Sequence, residues 1–327
     1  MKSKPMNVFS LIVAGGFVLA AMQPAQAQDV ATVAATEAVQ YGLHPGVDPV
    51  PDEDGKLPFL AHVDLSMPSD TGVTDNGWVW VVDGGNHQLV LFDEQGRRQA
   101  VLGGPGKDEG QFQGPVGMDL GPKGELYVAD RGNNRVQVFD SRQRFSRAIS
   151  VEENGKAVSP VDVAVGPKGK ELFVTTSSHR VLVFSTRGKL LRAWGGEGSE
   201  DGQFKYPAGI TVDGAGAIYV VDVLNQRVQK FDAQGAFLAA YGTLGATPGN
   251  FFRPKGVAVD ASGNIYVSDS YLGVIQVLSP TGEFLHALGE GGVPTRYETP
   301  VGMSVHQGRL YVTLMLPGKV SALEVAK

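Results

Sequence analysis

The sequence predicts an all-β, six-bladed β-propeller with four-stranded antiparallel blades, and three observations carry that prediction. Short apolar runs built around an aromatic recur at Trp80, Tyr127, Phe173, Tyr219, Tyr266 and Tyr311, 45 to 47 residues apart. Each repeat holds four short β-type runs separated by Gly- and Asp-rich turns, which is the pattern of a propeller blade. No stretch sustains apolar residues at helical spacing over the length a crossover helix needs, which excludes a parallel α/β fold. The 44 glycines among 327 residues then have a use in turns, and with 42% hydrophobic and 19% charged residues the chain is not a disordered one.

Taken in order, the chain begins with Lys2 and Lys4, an uncharged apolar run over 8–22 and the small-residue pattern Ala25-Gln26-Ala27. This reads as a signal peptide over 1–27, cleaved after Ala27. It implies an exported protein, periplasmic or secreted, with no membrane insertion once the signal is gone. Residues 28–55, ending in the acidic Asp52-Glu53-Asp54, read as a flexible leader, and 56–327 as the propeller. The net charge of −6 and the lack of a basic stripe exclude a nucleic-acid partner. With no cysteine in the chain, no disulfide can hold the fold, so core burial must.

The fourth repeat shows the four predicted strands most clearly, at 209–212, 217–221, 227–231 and 236–241. Pro68, Pro115, Pro160, Pro207, Pro254 and Pro300 open the innermost strands, where a missing N–H matters little. Gly103, Gly195, Gly242 and Gly289 end the outer strands, where tight turns call for positive φ. Phe112, Phe204 and Phe251 fall in the links between blades and are expected to plug them. After Tyr311 the chain has room for a third strand at 319–324 but not a fourth. The segment from Gly55 to His62 resembles the outer strands near Phe237 and Phe284, so an N-terminal strand is expected to complete the last blade and close the ring.

The turn Asp130-Arg131-Gly132-Asn133-Asn134-Arg135 places an Asp five residues before an Arg, as does Asp222 before Arg227. That spacing suits a carboxylate that caps the turn and pairs with the cation. Structural calcium is the other reading, but one carboxylate per turn does not support it.

Trp194-Gly195, Gly202-Gln203-Phe204, Pro207-Ala208-Gly209-Ile210, Ile218-Tyr219-Val220-Val221-Asp222 and Asn225-Gln226-Arg227-Val228-Gln229-Lys230-Phe231 together resemble the NHL repeat, a family of six-bladed propellers. The resemblance spans about residues 56–327 and weakens at Thr176 and Leu314, which replace the usual Asp, and at Val274, which replaces the Arg. It implies kinship with an enzyme branch, the peptidyl-amidoglycolate lyases, whose channel zinc is bound by a His following the inner-strand proline. Here those positions hold Ser69, Val116, Val161, Ala208, Lys255 and Val301, so the zinc site is not carried over. Neither a Cys nucleophile, a Gly-x-Ser-x-Gly elbow nor a phosphate loop is present.

The expectation is therefore a monomeric, non-enzymatic propeller without catalytic residues, cofactor or metal, which binds a protein, peptide or glycan through its channel-mouth face. Residues that depart from the repeat are the candidates for that face, because shared residues serve the fold. They are Asp70, Asp162 and Lys255 near inner-strand starts, with His87, Arg131, His179 and Tyr271 on the turns. The competing reading is a metal-dependent lyase or lactonase-like hydrolase that uses Asp70 and Asp162 as channel ligands.

Overall fold

The computed structural model describes residues 59–60, 65–290 and 293–325; the segments expected to be a signal peptide and a leader lie outside them. Six four-stranded antiparallel sheets form the blades, with two additional two-stranded hairpins. The innermost strands are Pro68–Val73, Pro115–Leu120, Pro160–Val165, Pro207–Val212, Pro254–Val259 and Pro300–His306. Each begins at the predicted proline, and the pairing with the second strand slips just after it, as between Pro207 and Ile210. A residue with no N–H to give the ladder tolerates such a bulge.

The second strands Val79–Asp83, Leu126–Asp130, Ile218–Asp222 and Ile265–Asp269 are buried at every position. Blades cover both of their faces, so these strands read as continuous apolar runs and not as alternating ones. Outer strands such as Arg98–Gly103 alternate between half-buried and exposed residues. Phe59–Leu60 pairs antiparallel with Lys319–Glu324, with Phe59 opposite Ser321 and Leu60 opposite Val320, and so supplies the fourth strand of the sixth blade. The ring closes as the sequence predicts.

Phe112, Phe204 and Phe251 are fully buried in their links. The glycines beside them are needed twice over. Gly195 has φ of 95°, and a Cβ there would lie 2.7 Å from the Phe204 ring. Gly289 departs from the expectation. It opens the short strand Gly289–Glu290, which pairs with Val293–Pro294, and the link from blade two to blade three likewise forms a hairpin from Glu152–Glu153 and Lys156–Ala157. These two links lack the Gly-x-Phe sequence, so a hairpin satisfies their backbone groups where a plug would have anchored them. Phe204→Ala is expected to lower stability by about 3–5 kcal/mol, the usual loss for a buried aromatic. Urea unfolding would show it as a lower midpoint at unchanged slope; an unmoved midpoint would refute the plug.

The Asp that ends each well-matched second strand fastens the link to the next turn. Asp130 accepts the Gln113 N–H at 2.8 Å, Asn133 Nδ2 at 2.8 Å and Arg135 Nε at 2.7 Å. Arg135 also donates to the link carbonyls of Asp108 and Gln111, at 2.9 and 2.8 Å. Asp222 and Arg227 repeat the arrangement. Where Val274 replaces the Arg, Asp269 is instead satisfied by the N–H groups of Phe252, Arg253, Tyr271 and Leu272.

Candidate functional site at the channel and its mouth

All six inner strands line a central cavity of about 410 Å3. Four of them carry glycine two residues after the proline, at Gly117, Gly209, Gly256 and Gly302, while blades one and three carry Asp70 and Asp162 there. The glycines let neighbouring backbones touch; a Cβ on Gly209 would stand 2.7 Å from the Lys255 carbonyl oxygen. A Cβ on Gly302 would collide with Asp70, and one on Gly117 with Asp162. Each aspartate thus fits because the blade beside it has no side chain at that level.

Asp119, on the second blade, joins these two acids on the channel wall. All three accept backbone N–H groups across a blade seam: Asp70 from Met118 at 2.9 Å, Asp119 from Val165 at 2.7 Å and Asp162 from Ile210 at 2.9 Å. Asp119 and Asp162 also accept from the following residue of their own strands, Leu120 and Val163, both at 2.7 Å. Burial pushes Asp70 up to about 8 and Asp119 up to about 6, against the hydrogen bonds that favour the anion. Asp162 is raised well above its ordinary value by burial and then by the nearby Asp70.

Lys255 lies on the wall at the start of the fifth inner strand. Burial, then Arg253 and Arg131, push its ammonium down to about 8, opposed by Asp269. Arg131 opens the one-turn 3-10 helix Arg131–Asn133 on the second blade, is half-buried there and has its pKa lowered by that burial, against an opposing effect of Tyr206. Tyr206, immediately before Pro207, is 50% exposed with φ of 58°. Left-handed backbone in a bulky residue costs about 1–2 kcal/mol. His179 holds it: the Tyr206 N–H donates to His179 Nδ1 at 3.0 Å, and the two rings meet edge to face at 5.1 Å.

Of the sequence candidates, Asp70, Asp162 and Lys255 share the channel wall, and the charge of Arg131 is among the causes that lower the pKa of Lys255. His179 instead holds the link at Tyr206. His87 holds its own link, since its Nδ1 accepts the Gly114 N–H at 2.8 Å, which leaves the proton of a neutral ring on Nε2. Tyr271 packs on Phe252, ring centres 5.5 Å apart, beside Ala246, Leu272 and Val274. Sequence reasoning missed Asp119, Arg253 and Tyr206. Tyr206 carried a signal, because the residue before the inner proline is otherwise Met67, Gly114, Ser159, Arg253 or Thr299.

Lactonase or lyase chemistry through an ion would have to draw on the three channel acids. Their carboxyls already accept backbone N–H groups, and among the described residues no three His, Cys, Asp or Glu side chains converge to hold a metal. The donor set does not fit a resident ion.

A closed ring of six NHL-type blades around a polar channel defines the class of this protein. The chain belongs to the SMP-30/Gluconolactonase/LRE-like family, whose profile matches residues 71–315. It is similar to human NHL repeat-containing protein 3, with 32% identity over 84 residues, 25% of this chain and 24% of that one. It is also similar to a probable peptidyl-alpha-hydroxyglycine alpha-amidating lyase of Caenorhabditis elegans, with 30% identity over 95 residues and 27% of each chain. The matched stretch spans about a quarter of the length of these curated relatives. Among solved structures, a streptogramin B lyase superposes with a TM-score of 0.61 at 14% identity, covering 81% of this chain and 96% of that one. A gluconolactonase of Xanthomonas campestris gives 0.62 at 16% identity, covering 80% and 87%. At these identities the superpositions show a shared fold.

Proposed function

We propose that this chain is an exported, monomeric, non-enzymatic docking propeller that holds a protein, peptide or glycan partner at its channel mouth. One contrast carries the reading. The acids with chemistry to offer, Asp70, Asp119 and Asp162, are engaged in blade seams, whereas the links and turns at the proline end of the inner strands carry Arg131 and the exposed side chains of Tyr206, Leu224 and Leu316. Ligand sites favour such openings, where loops carried by a rigid ring converge. Affinity capture from the cell envelope fraction, with the intact protein and an Arg131→Ala/Tyr206→Ala/Lys255→Ala variant as paired baits, tests it. Partners held by the intact protein are expected to be lost by the variant; identical capture by both would remove the mouth from the reading.

The second reading is a lyase or lactonase-like hydrolase acting in the channel, and the acid-lined 410 Å3 cavity favours it. Turnover of a lactone or a peptidyl-hydroxyglycine by the purified protein with added zinc or calcium, abolished in Asp162→Asn at unchanged melting temperature, would replace the docking proposal. Absence of turnover under those conditions supports docking.

A further inference from the structure

We propose that the end of the ring opposite the mouth is a membrane-docking surface, where blades two and three lay a basic patch against anionic phospholipid headgroups. The proposal goes beyond the docking reading, because it concerns the far turns of the propeller and not the channel mouth. Inner strands run from the proline end, so in antiparallel blades the first-to-second and third-to-fourth turns lie at the far end. Lys123 and Arg142 stand in those turns of blade two, and Lys168, Lys170, Arg187 and Lys189 in those of blade three. All six are exposed, and none forms an ion pair among the described residues, whereas Arg144 beside them is held by Asp140 at 2.6 Å.

Their turns are knitted into one surface. A Cβ on Gly124 would lie 3.4 Å from Ser141, which joins the two turns of blade two, and one on Gly169 would lie 2.7 Å from the Pro122 ring, which joins blade two to blade three. The Thr186 N–H donates to the Lys170 carbonyl at 3.1 Å, and Arg147 Nε on the second blade donates to the Thr186 carbonyl at 2.9 Å. No linear stretch shows the patch, because its cations come from four turns between residues 121 and 189. The corresponding turns of blades four and five carry Asp213, Asp232, Asp260 and Glu283 and no Lys or Arg. Charge is therefore divided across this end of the ring, and an anionic surface attracts one side of it and repels the other. The chain as a whole is negative, at −6, but charges more than about 8 Å apart are largely screened at physiological salt, so the local patch decides.

The neighbours of the patch narrow the partner. Lys189 is followed by Leu190 and Leu191, 44% and 43% exposed. The pairing of their strand slips there, with Leu190 opposite Phe184 and Arg192 opposite Val183, so Leu191 is the extra residue of a bulge and both leucines stay out of the core. Cations beside exposed leucines suit a bilayer surface, where apolar side chains enter the headgroup boundary while the charges meet the phosphates. A single-stranded nucleic acid would call for aromatic rings on which bases stack, and the far turns of blades two and three carry none. Seated in this way, the ring turns its mouth away from the bilayer.

The test mixes the protein, as processed by the cell, with vesicles of phosphatidylcholine alone, with vesicles of phosphatidylcholine and phosphatidylglycerol, and with a single-stranded oligonucleotide. Binding is expected to the mixed vesicles only, and it should weaken as salt is raised. Lys168→Gln/Lys170→Gln should weaken it about twentyfold, at about fivefold for each cation near an anionic surface. Lys107→Gln/Lys156→Gln, which removes two exposed cations from links at the mouth end, should bind about as the unmodified protein does. Leu190→Ser/Leu191→Ser should be released from the vesicles at lower salt than the unmodified protein. Equal binding to both kinds of vesicle, or equal loss in the two charge variants, would overturn the patch. An unmoved leucine variant, or retention of the oligonucleotide without the vesicles, would overturn the lipid assignment. Binding to none of the three would overturn the proposal and leave the docking reading at the mouth untouched.

Discussion

Thermal melts are expected to show the protein less stable at pH 8.5 than at pH 5.5, with the slope arising in the channel. Burial raises Asp70 to about 8 in the folded chain, against an unfolded value of about 3.9. Between those values the folded protein keeps a proton that the unfolded chain has released, so stability falls as pH rises through the window. Asp119, raised to about 6, adds to the fall at its acidic end, and Asp162 acts in the same direction. A net loss of about 3 kcal/mol corresponds to roughly 6–12 °C for a domain of this size. Asp70→Asn keeps an oxygen to accept the Met118 N–H and carries no charge at any pH. It should melt higher than the unmodified protein at pH 8.5 and flatten the profile. A variant that retained the full slope would show that Asp70 is not its source.

The second large effect concerns ring closure. Removal of residues 56–65 takes away the strand Phe59–Leu60 and leaves Lys319–Glu324 as an open edge. It also removes Leu65 from the cluster it shares with Val79, Val81, Val90, Phe92, Tyr311 and Val320, which joins the first and last blades. The expected result is loss of a single cooperative transition and a melting temperature lower by more than about 10 °C, with self-association through the exposed edge. Size-exclusion chromatography and calorimetry on the truncated chain would check both parts. An unchanged, monomeric melt would mean that closure contributes nothing to stability.

The architecture was legible because one solution is written out repeatedly. The prolines fix where inner strands begin, the buried aromatics fix the second strands, and glycines such as Gly195 fix where a plug can enter. The hairpin links were not legible, since Gly289 resembles the other strand-ending glycines until its pairing with Pro294 is seen. At the candidate site, Asp70, Asp162, Lys255 and Arg131 stood out because they break the repeat. Asp119 did not, since its inner-strand level holds Gly72, Ala164, Thr211, Ala258 and Ser304 elsewhere and has no consensus to break. His87 and His179 do break the pattern, yet their imidazoles accept link N–H groups, a role that depends on residues 27 positions away. The raised acids could not be read linearly either, because their burial exists only once six inner strands enclose them.

The seating of Asp70 over Gly302 and of Asp162 over Gly117 works as an occupancy code around the axis. A carboxyl at this level demands bare backbone in the blade that precedes it around the ring, so the blade before an aspartate cannot carry one of its own. Blades one and three are filled, whereas on blade five a Cβ at Gly256 would run into the Val301 carbonyl of the sixth blade and that position stays bare. At this level of the channel the carboxyls thus stand on alternate blades, and a glycine on the blade before each one makes room for it.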